Sequence, residues 1–508
     1  MQKRPNVVFI LADDMGYSDL GCMGSEINTP NLDRLAAGGQ LYTQFYNTAR
    51  CCPTRASVLT GLHPHQTGIG HMTNTPENAL CFDKGLFGYR GFLNRSCVTI
   101  AEVLREAGYH TYLSGKWHLG MHEPDRWPTR RGFERFYGLY AGACNYMRPT
   151  APRGLFFQEE PVTVDTDTSF YTTDAFADYA CRFLREQEDD APFFLYLAFN
   201  APHWPLQAPA EDVARYRGKY LCGWDVLREK RYAKMVELGL IDPAKCALSP
   251  RDEDVPPWDS LSDEKKDEMD LRMATYAAQI DRMDQAIGRV MAQLEALGKM
   301  SDTLILFLSD NGACAEGGVL GGGPATDVNN PDLSGLCVSY GMCWANASNT
   351  PFRLYKRYVH EGGLSTPLIA HWPNGIKVGG VVEEPGYLID IMPTVVDVCG
   401  ATYPQEAFGN AIPPMEGVSM GPCFSTGTWE GHEMMFWEHE DHCAIRQGRY
   451  KALQEYGSGI WKLYDLEVDR CELCDISAQF PAKTAELAAA WERWAVEHHV
   501  SPKFYEVK

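Results

Sequence analysis

No run of apolar residues in this 508-residue chain is long enough to cross a bilayer; the longest, such as 7–12 and 193–199, have the length of a strand. Membrane insertion is therefore not expected. Basic charge is also scarce, 46 Lys and Arg against 67 Asp and Glu, giving a formal charge of −21. Nucleic acid, whose phosphates demand a basic face, is not an expected partner. An anionic substrate would meet an opposing overall field, so a local group of cations would have to reverse it. Internal repeats and low-complexity tracts are missing, which sets aside solenoids and propellers. No export segment is evident at Met1-Gln2-Lys3-Arg4-Pro5. The expected location is cytoplasmic, or periplasmic or secreted where a leader has been removed.

What is present is the composition of a folded protein: 45% hydrophobic, 22% charged and 12% aromatic residues. That is too apolar for a disordered chain and enough for one large core or two. The 17 cysteines are thinly spread and odd in number. A chain of this size needs no covalent staples, so most are expected to be reduced, small apolar residues. Cys471 and Cys474 form a C-x-x-C pair without a second such pair, in a polar stretch that reads as a surface loop.

Short β-branched runs at 7–11, 193–199, 303–308 and 368–370 alternate with amphipathic helical patterns. Strands this apolar are of the kind buried on both faces of a mostly parallel sheet. Residues 98–107 read as a helix stopped by Gly108. The longest helical pattern runs from about Asp263 to Leu297, capped by Ser262, with Met273, Ala277, Ile280, Ile287 and Leu294 as its buried stripe. The expected fold is α/β, a large mixed and mostly parallel sheet sandwiched by helices. Beyond a Gly/Pro-rich stretch near 400 the pattern changes to four short strands and a helix from about 481 to 497. Two domains follow: 1–404, carrying the chemistry, and 405–508, a smaller antiparallel sheet with a terminal helix.

Two of the apolar strands run into carboxylates, one ending Leu11-Ala12-Asp13-Asp14 and the other Leu308-Ser309-Asp310-Asn311-Gly312. In open α/β sheets ligands bind outside the carboxyl ends of the strands. Three carboxylates and an amide oxygen gathered there would repel one another without a cation, and as hard donors they suit calcium or magnesium. Each segment alone also reads as a simple turn. The third feature is Cys51-Cys52-Pro53-Thr54-Arg55, leading into a helical run that stops at Gly61. A cysteine at a helix N-terminus is either a low-pKa thiolate, part of an anion-binding turn, or a buried structural residue.

The pattern Cys-x-Pro-Thr-Arg-x-x-x-Leu-Thr-Gly resembles the signature of the sulfatases, of the alkaline-phosphatase-like superfamily, whose first cysteine becomes Cα-formylglycine. Pro53 and Arg55 fix Cys51, not Cys52, as the modified residue. Other family-like segments follow in order: Gly115-Lys116-Trp117-His118-Leu119-Gly120, Ala201-Pro202-His203, and Asn349-Thr350-Pro351-Phe352-Arg353 running through Lys356 to Glu361-Gly362-Gly363. The resemblance covers essentially the whole chain and is nearest to the bacterial arylsulfatase type.

The resemblance implies a sulfuric ester hydrolase acting on a sulfated small molecule or carbohydrate. Hydrated formylglycine offers one hydroxyl to attack sulfur and a second to expel sulfate afterwards. Asp13, Asp14, Asp310 and Asn311 would hold one divalent cation, calcium by expectation. Asp310 would also accept the proton of the attacking hydroxyl. Arg55 and Lys116 would fix the gem-diol, and Lys356 would bind sulfate oxygens. His118 would deprotonate the second hydroxyl, while His203 would protonate the leaving oxygen. A formylglycine-generating maturation enzyme is an implied partner. His439 is read equally as a pocket residue or a packing one. Segments 81–94 and 216–258 are expected to carry selectivity.

The rival from the same superfamily is a phosphonate or phosphate ester hydrolase. A catalytically dead binding protein conflicts with retention of every expected catalytic position. A plain Cys51 thiolate hydrolase gives no reason for the carboxylates.

Overall fold

The computed structural model describes residues 4–165, 169–333 and 335–501. Ten strands form one sheet in the order Gly380–Val382, Gln40–Tyr42, Leu368–His371, Thr303–Ser309, Asn6–Asp13, Phe193–Pro202, His110–Lys116, Arg135–Leu139, Leu155–Phe157 and Glu160–Val162. The central five, from Thr303–Ser309 to Arg135–Leu139, are mutually parallel. Leu368–His371 is buried as its apolar sequence requires, but it runs antiparallel to both neighbours, so burial did not imply a parallel partner here.

Alternation along Asn6–Asp13 feeds two cores. Val8, Ile10 and Ala12 join the cluster that contains Met273, Ala277, Ile280, Ile287 and Leu294 of helix Asp263–Ala296. Val7, Phe9 and Leu11 face the other side, with Val58 and Leu59 of helix Cys51–Thr60. This is the two-sided burial of a sheet between helical layers. Ser262 caps the long helix through Lys265 N at 3.3 Å. The helix expected at 98–107 is shorter, Ile100–Glu106. Thr99 stops it from extending backwards, because its hydroxyl accepts from Glu102 N while Glu102 accepts from Thr99 N.

The second sheet is four-stranded and antiparallel: Met434–His439, His442–Gln447, Tyr450–Gln454 and Trp461–Asp465. One face, with Trp437, Ala444 and Leu453, merges into the core around Phe9. The other, with Ile445, Ala452 and Leu463, packs on Leu487, Trp491 and Trp494 of helix Pro481–Glu497. No described helix is long and apolar enough to cross a membrane.

The surface-loop expectation for the C-x-x-C pair is half wrong. Cys474 is exposed, but Cys471 is buried, with its sulfur 3.6 Å from that of Cys246. Its sulfur also reaches Pro351 O at 3.5 Å, so both contacts come from parts of the chain distant in sequence.

Candidate functional site

The sheet register sets the site. Ala12 lies opposite Ser309, and Asp310 N donates to Ala12 O at 3.1 Å, so Asp13 and Asp310 leave the sheet side by side. A shift in pairing between Leu11 and Asp13 places Asp13 opposite Pro202, just before His203. Gly115 pairs with Ala198 one residue before Lys116. At Gly115 (φ +125°) a Cβ would lie 1.8 Å from Ala198 O, so glycine permits the strand contact that delivers Lys116. Asp14 (φ 69°) and His118 (φ 57°) occupy left-handed backbone that costs non-glycine residues about 1–3 kcal/mol. Such conformations persist where the surroundings hold them, and here they turn both side chains into the pocket.

Helix Cys51–Thr60 begins at Cys51 and ends at Gly61 in left-handed conformation, as its sequence punctuation predicts. Cys51 Sγ is 3.5 Å from His118 Nδ1. Arg55, one turn on, is fully buried and donates to Asp310 Oδ2 at 2.7 Å and to Lys116 O at 3.2 Å. Its Nη2 also lies 3.7 Å from Asp13 Oδ1. Lys116 Nζ donates to Asp13 Oδ2 at 2.6 Å and Lys356 Nζ to Asp14 Oδ2 at 2.9 Å. Asn311 Nδ2 donates to Asp14 Oδ1 at 2.7 Å. The ten residues singled out in the sequence thus converge at the carboxyl ends of the central strands, each no more than 5% exposed.

Two buried oxygens there, Asp13 Oδ1 and Asn311 Oδ1, have no hydrogen-bond partner. An orphaned buried acceptor is costly, about 1–3 kcal/mol. Donor atoms of Asp13, Asp14 and His203 lie within 4.8 Å of one another. Unpaired hard oxygens among three carboxylates fit a divalent cation of the calcium or magnesium type.

The charges shift proton affinities in opposite directions. Burial, reinforced by Asp13, pushes Asp310 well above the usual carboxylate range. Burial also raises Asp13 despite Lys116 and Arg55. At Asp14 burial is outweighed by Lys356 and His203, and its carboxyl is held low. The Cys52 thiol, with Lys116, His118 and Lys356, holds the Cys51 thiol well below its ordinary value. Burial pushes His118 down to about 3 and His203 down to about 4, so both are neutral near pH 7. His203 Nδ1 faces Trp204 O at 2.7 Å, which leaves Nε2 directed at Asp14 Oδ2, 3.5 Å away.

A cavity of about 120 Å³ is lined by Cys51, His118, His203 and Lys356. It shares Arg50, Met72, Glu316 and Lys356 with a wider cleft of about 1180 Å³. Phe82 and residues 250–254 line that cleft, which brings parts of both expected selectivity segments to its wall. His439 lines neither cavity and stacks on His71 at 5.5 Å.

Sequence reasoning missed Glu316. It accepts from Arg50 Nη1 at 2.8 Å and from Trp204 Nε1 at 2.9 Å, and lies 4.0 Å from Lys356 Nζ. Lys356 and Arg50 hold its carboxyl far below the usual range. Arg50 adjoins the cysteine motif, but nothing local marks Glu316.

The family model for sulfatases matches residues 5–401, and one for the C-terminal part of N-sulphoglucosamine sulphohydrolase matches 352–493. An uncharacterised sulfatase of Schizosaccharomyces pombe is 36% identical over 518 residues, covering 96% of this chain and 93% of its own. An arylsulfatase of Klebsiella aerogenes is 33% identical over 434 residues, covering 82% and 92%. The crystal structure of Ps i-CgsB in complex with k-i-k-neocarrahexaose matches with a TM-score of 0.72 at 25% identity, covering 98% of this chain and 94% of that one.

Proposed function

The chain belongs to the sulfatase family, and from that premise we propose how its own residues cleave a sulfate ester and what the ester is attached to. The reaction is hydrolysis to an alcohol or phenol plus sulfate. Sulfatases generally use a metal ion and a formylglycine made from cysteine. Here Cys51 is the residue converted, by a separate maturation enzyme. The aldehyde hydrate supplies a nucleophilic hydroxyl and a second hydroxyl for release. Asp13, Asp14, Asp310 and Asn311 would hold the cation, calcium by their oxygen chemistry, and it would supply positive charge for the sulfate oxygens.

The chain's own side chains do the remaining work. Arg55 and Lys116 orient residue 51, and Asp310, ion-paired with Arg55 through Oδ2, takes the proton of the attacking hydroxyl. Lys356 draws the anion in. Neutral His118, beside residue 51, accepts a proton from the second hydroxyl. His203 serves the leaving oxygen; an anion in the pocket favours its charged, donating form. Residues 1–404 carry this machinery and 405–508 form the smaller domain.

One observation carries the reading: the orphaned oxygens of Asp13 and Asn311 share one buried pocket with Cys51 and three cationic side chains. The wide cleft supports a sulfated carbohydrate as substrate, because it leaves room for several rings beyond the ester. The matured protein should be assayed on sulfated oligosaccharides, an aryl sulfate and an aryl phosphonate. Fastest turnover of a sulfated sugar is expected. Preference for the aryl sulfate would overturn the carbohydrate assignment, and preference for the phosphonate the assignment of sulfur as the reacting centre.

A further inference from the structure

Beyond the C-terminal end of the helix that begins at Cys51, two histidines and a glutamate meet where the C-terminal helix rests on the body. His63 follows helix Cys51–Thr60 and His498 follows helix Pro481–Glu497, while Glu416 comes from the segment between them. One donor atom from each of His63, Glu416 and His498 lies within 4.8 Å of the other two. We propose that these residues form a second metal site, selective for zinc, that fastens the C-terminal helix to the body.

Three details support it. First, His498 Nδ1 faces Trp494 O at 2.8 Å. Donation to that carbonyl keeps a proton on Nδ1, so an ion that displaces the Nε2 proton meets the arrangement typical of metal-bound histidine. Second, Nε2 lies 3.2 Å from Glu416 Oε1. Two donors about 2.0–2.2 Å from one tetrahedral zinc sit about 3.3 Å apart. Gln66 Nε2 holds the same Glu416 oxygen at 2.8 Å, an outer contact that orients the carboxylate. Third, His63 is only 5% exposed and its Nδ1 has no hydrogen-bond partner. The ring packs edge-on against Trp494 and His498, and that packing leaves Nδ1 unsatisfied.

Two imidazole nitrogens and one carboxylate select zinc over the hard cations suited to the ester site. A cavity of about 360 Å³, lined by all three residues and by Arg493, gives an ion a route in and room for a water as fourth ligand.

The test uses the full-length matured protein with calcium in excess, so that the ester site is occupied. Zinc titration should show one saturable site per chain, and cobalt in its place should give the intense visible bands of tetrahedral coordination. Zinc should raise the melting temperature of the wild type. Glu416→Gln and His498→Gln should each weaken zinc binding about tenfold or more, abolish the thermal shift, and leave sulfatase activity within about twofold. No zinc bound by the wild type, zinc displaced by calcium, or unchanged affinity in both variants would overturn the proposal. If a variant does not fold, the cobalt spectrum of the wild type decides, and weak octahedral bands alone would count against the site.

Discussion

Lys356 Nζ lies 2.9 Å from Asp14 Oδ2, and His203 Nε2 faces that same oxygen from 3.5 Å. One carboxylate thus holds both the cation proposed to meet the sulfate and the imidazole proposed to serve its leaving oxygen. Replacing Lys356 by Ala removes the charge proposed to meet the reacting group. The expected loss in kcat/KM is about 10²–10³, the scale of one preorganised electrostatic contact. Steady-state kinetics with an aryl sulfate measures it, and a loss below tenfold would remove Lys356 from the anion site.

The register of the cysteine motif makes a sharper distinction. In Cys52→Ser, residue 51 should still lose about 18 Da relative to cysteine, the covalent arithmetic of formylglycine. Activity should survive in that variant and vanish in Cys51→Ala. Peptide mass spectrometry across residues 51–55 reads the site directly, and a mass loss at 52 would refute the assignment.

Treatment with a calcium-selective chelator should abolish turnover. Calcium should restore it better than zinc, because the donors are carboxylate and amide oxygens. Restoration by zinc alone would contradict the hard-ion assignment.

His110 bridges Glu134 at 2.9 Å and Asp189 at 3.0 Å. Burial disfavours its charged form, but the two carboxylates outweigh that and raise its proton affinity. A raised folded-state pKa means that the bridge contributes fully below the unfolded value of about 6.5 and fades as pH rises through the folded value. The melting temperature of the wild type should therefore exceed that of His110→Gln near about pH 5.5, with the gap closing by about pH 9. A gap independent of pH would show that packing, not charge, is what His110 contributes.

Lys451 is fully buried in the second sheet, 2.9 Å from Glu361 and 2.7 Å from Glu472. Lys451→Met would remove the cation shared by two buried carboxylates, leaving Glu361 with Tyr46 and Arg470, so a destabilisation of about 3–5 kcal/mol is expected in denaturant unfolding. A near-neutral effect would mean that the pair relaxes by taking up protons.

The central strands and the cysteine helix were legible because their signals are local: unbroken apolar runs, and a proline, an arginine and a glycine at fixed offsets. The ten pocket residues were legible chiefly through the family resemblance; singly, Lys116 or His203 has no distinguishing neighbour. Glu316 escaped because its meaning lies in contacts with Arg50, Trp204 and Lys356, all distant in sequence. The burial of Cys471 escaped for the same reason, since its contacts, Cys246 and Pro351, come from other parts of the chain. The turned backbone at Asp14 and His118 had no glycine to announce it.

Asp13, Asp14 and Asp310 share their pocket with Arg55, Lys116 and Lys356, so in their ordinary ionised forms the protein's own charges there cancel. A divalent ion would tip that balance towards positive; a sulfate ester, with its single negative charge, would bring it halfway back, and product sulfate, with two, all the way. Affinity for the ion and affinity for the anion are therefore linked, each tightening the other by the same factor. On the proposed chemistry product sulfate would guard against loss of the metal, and release of the two should be sought as coupled rather than independent events.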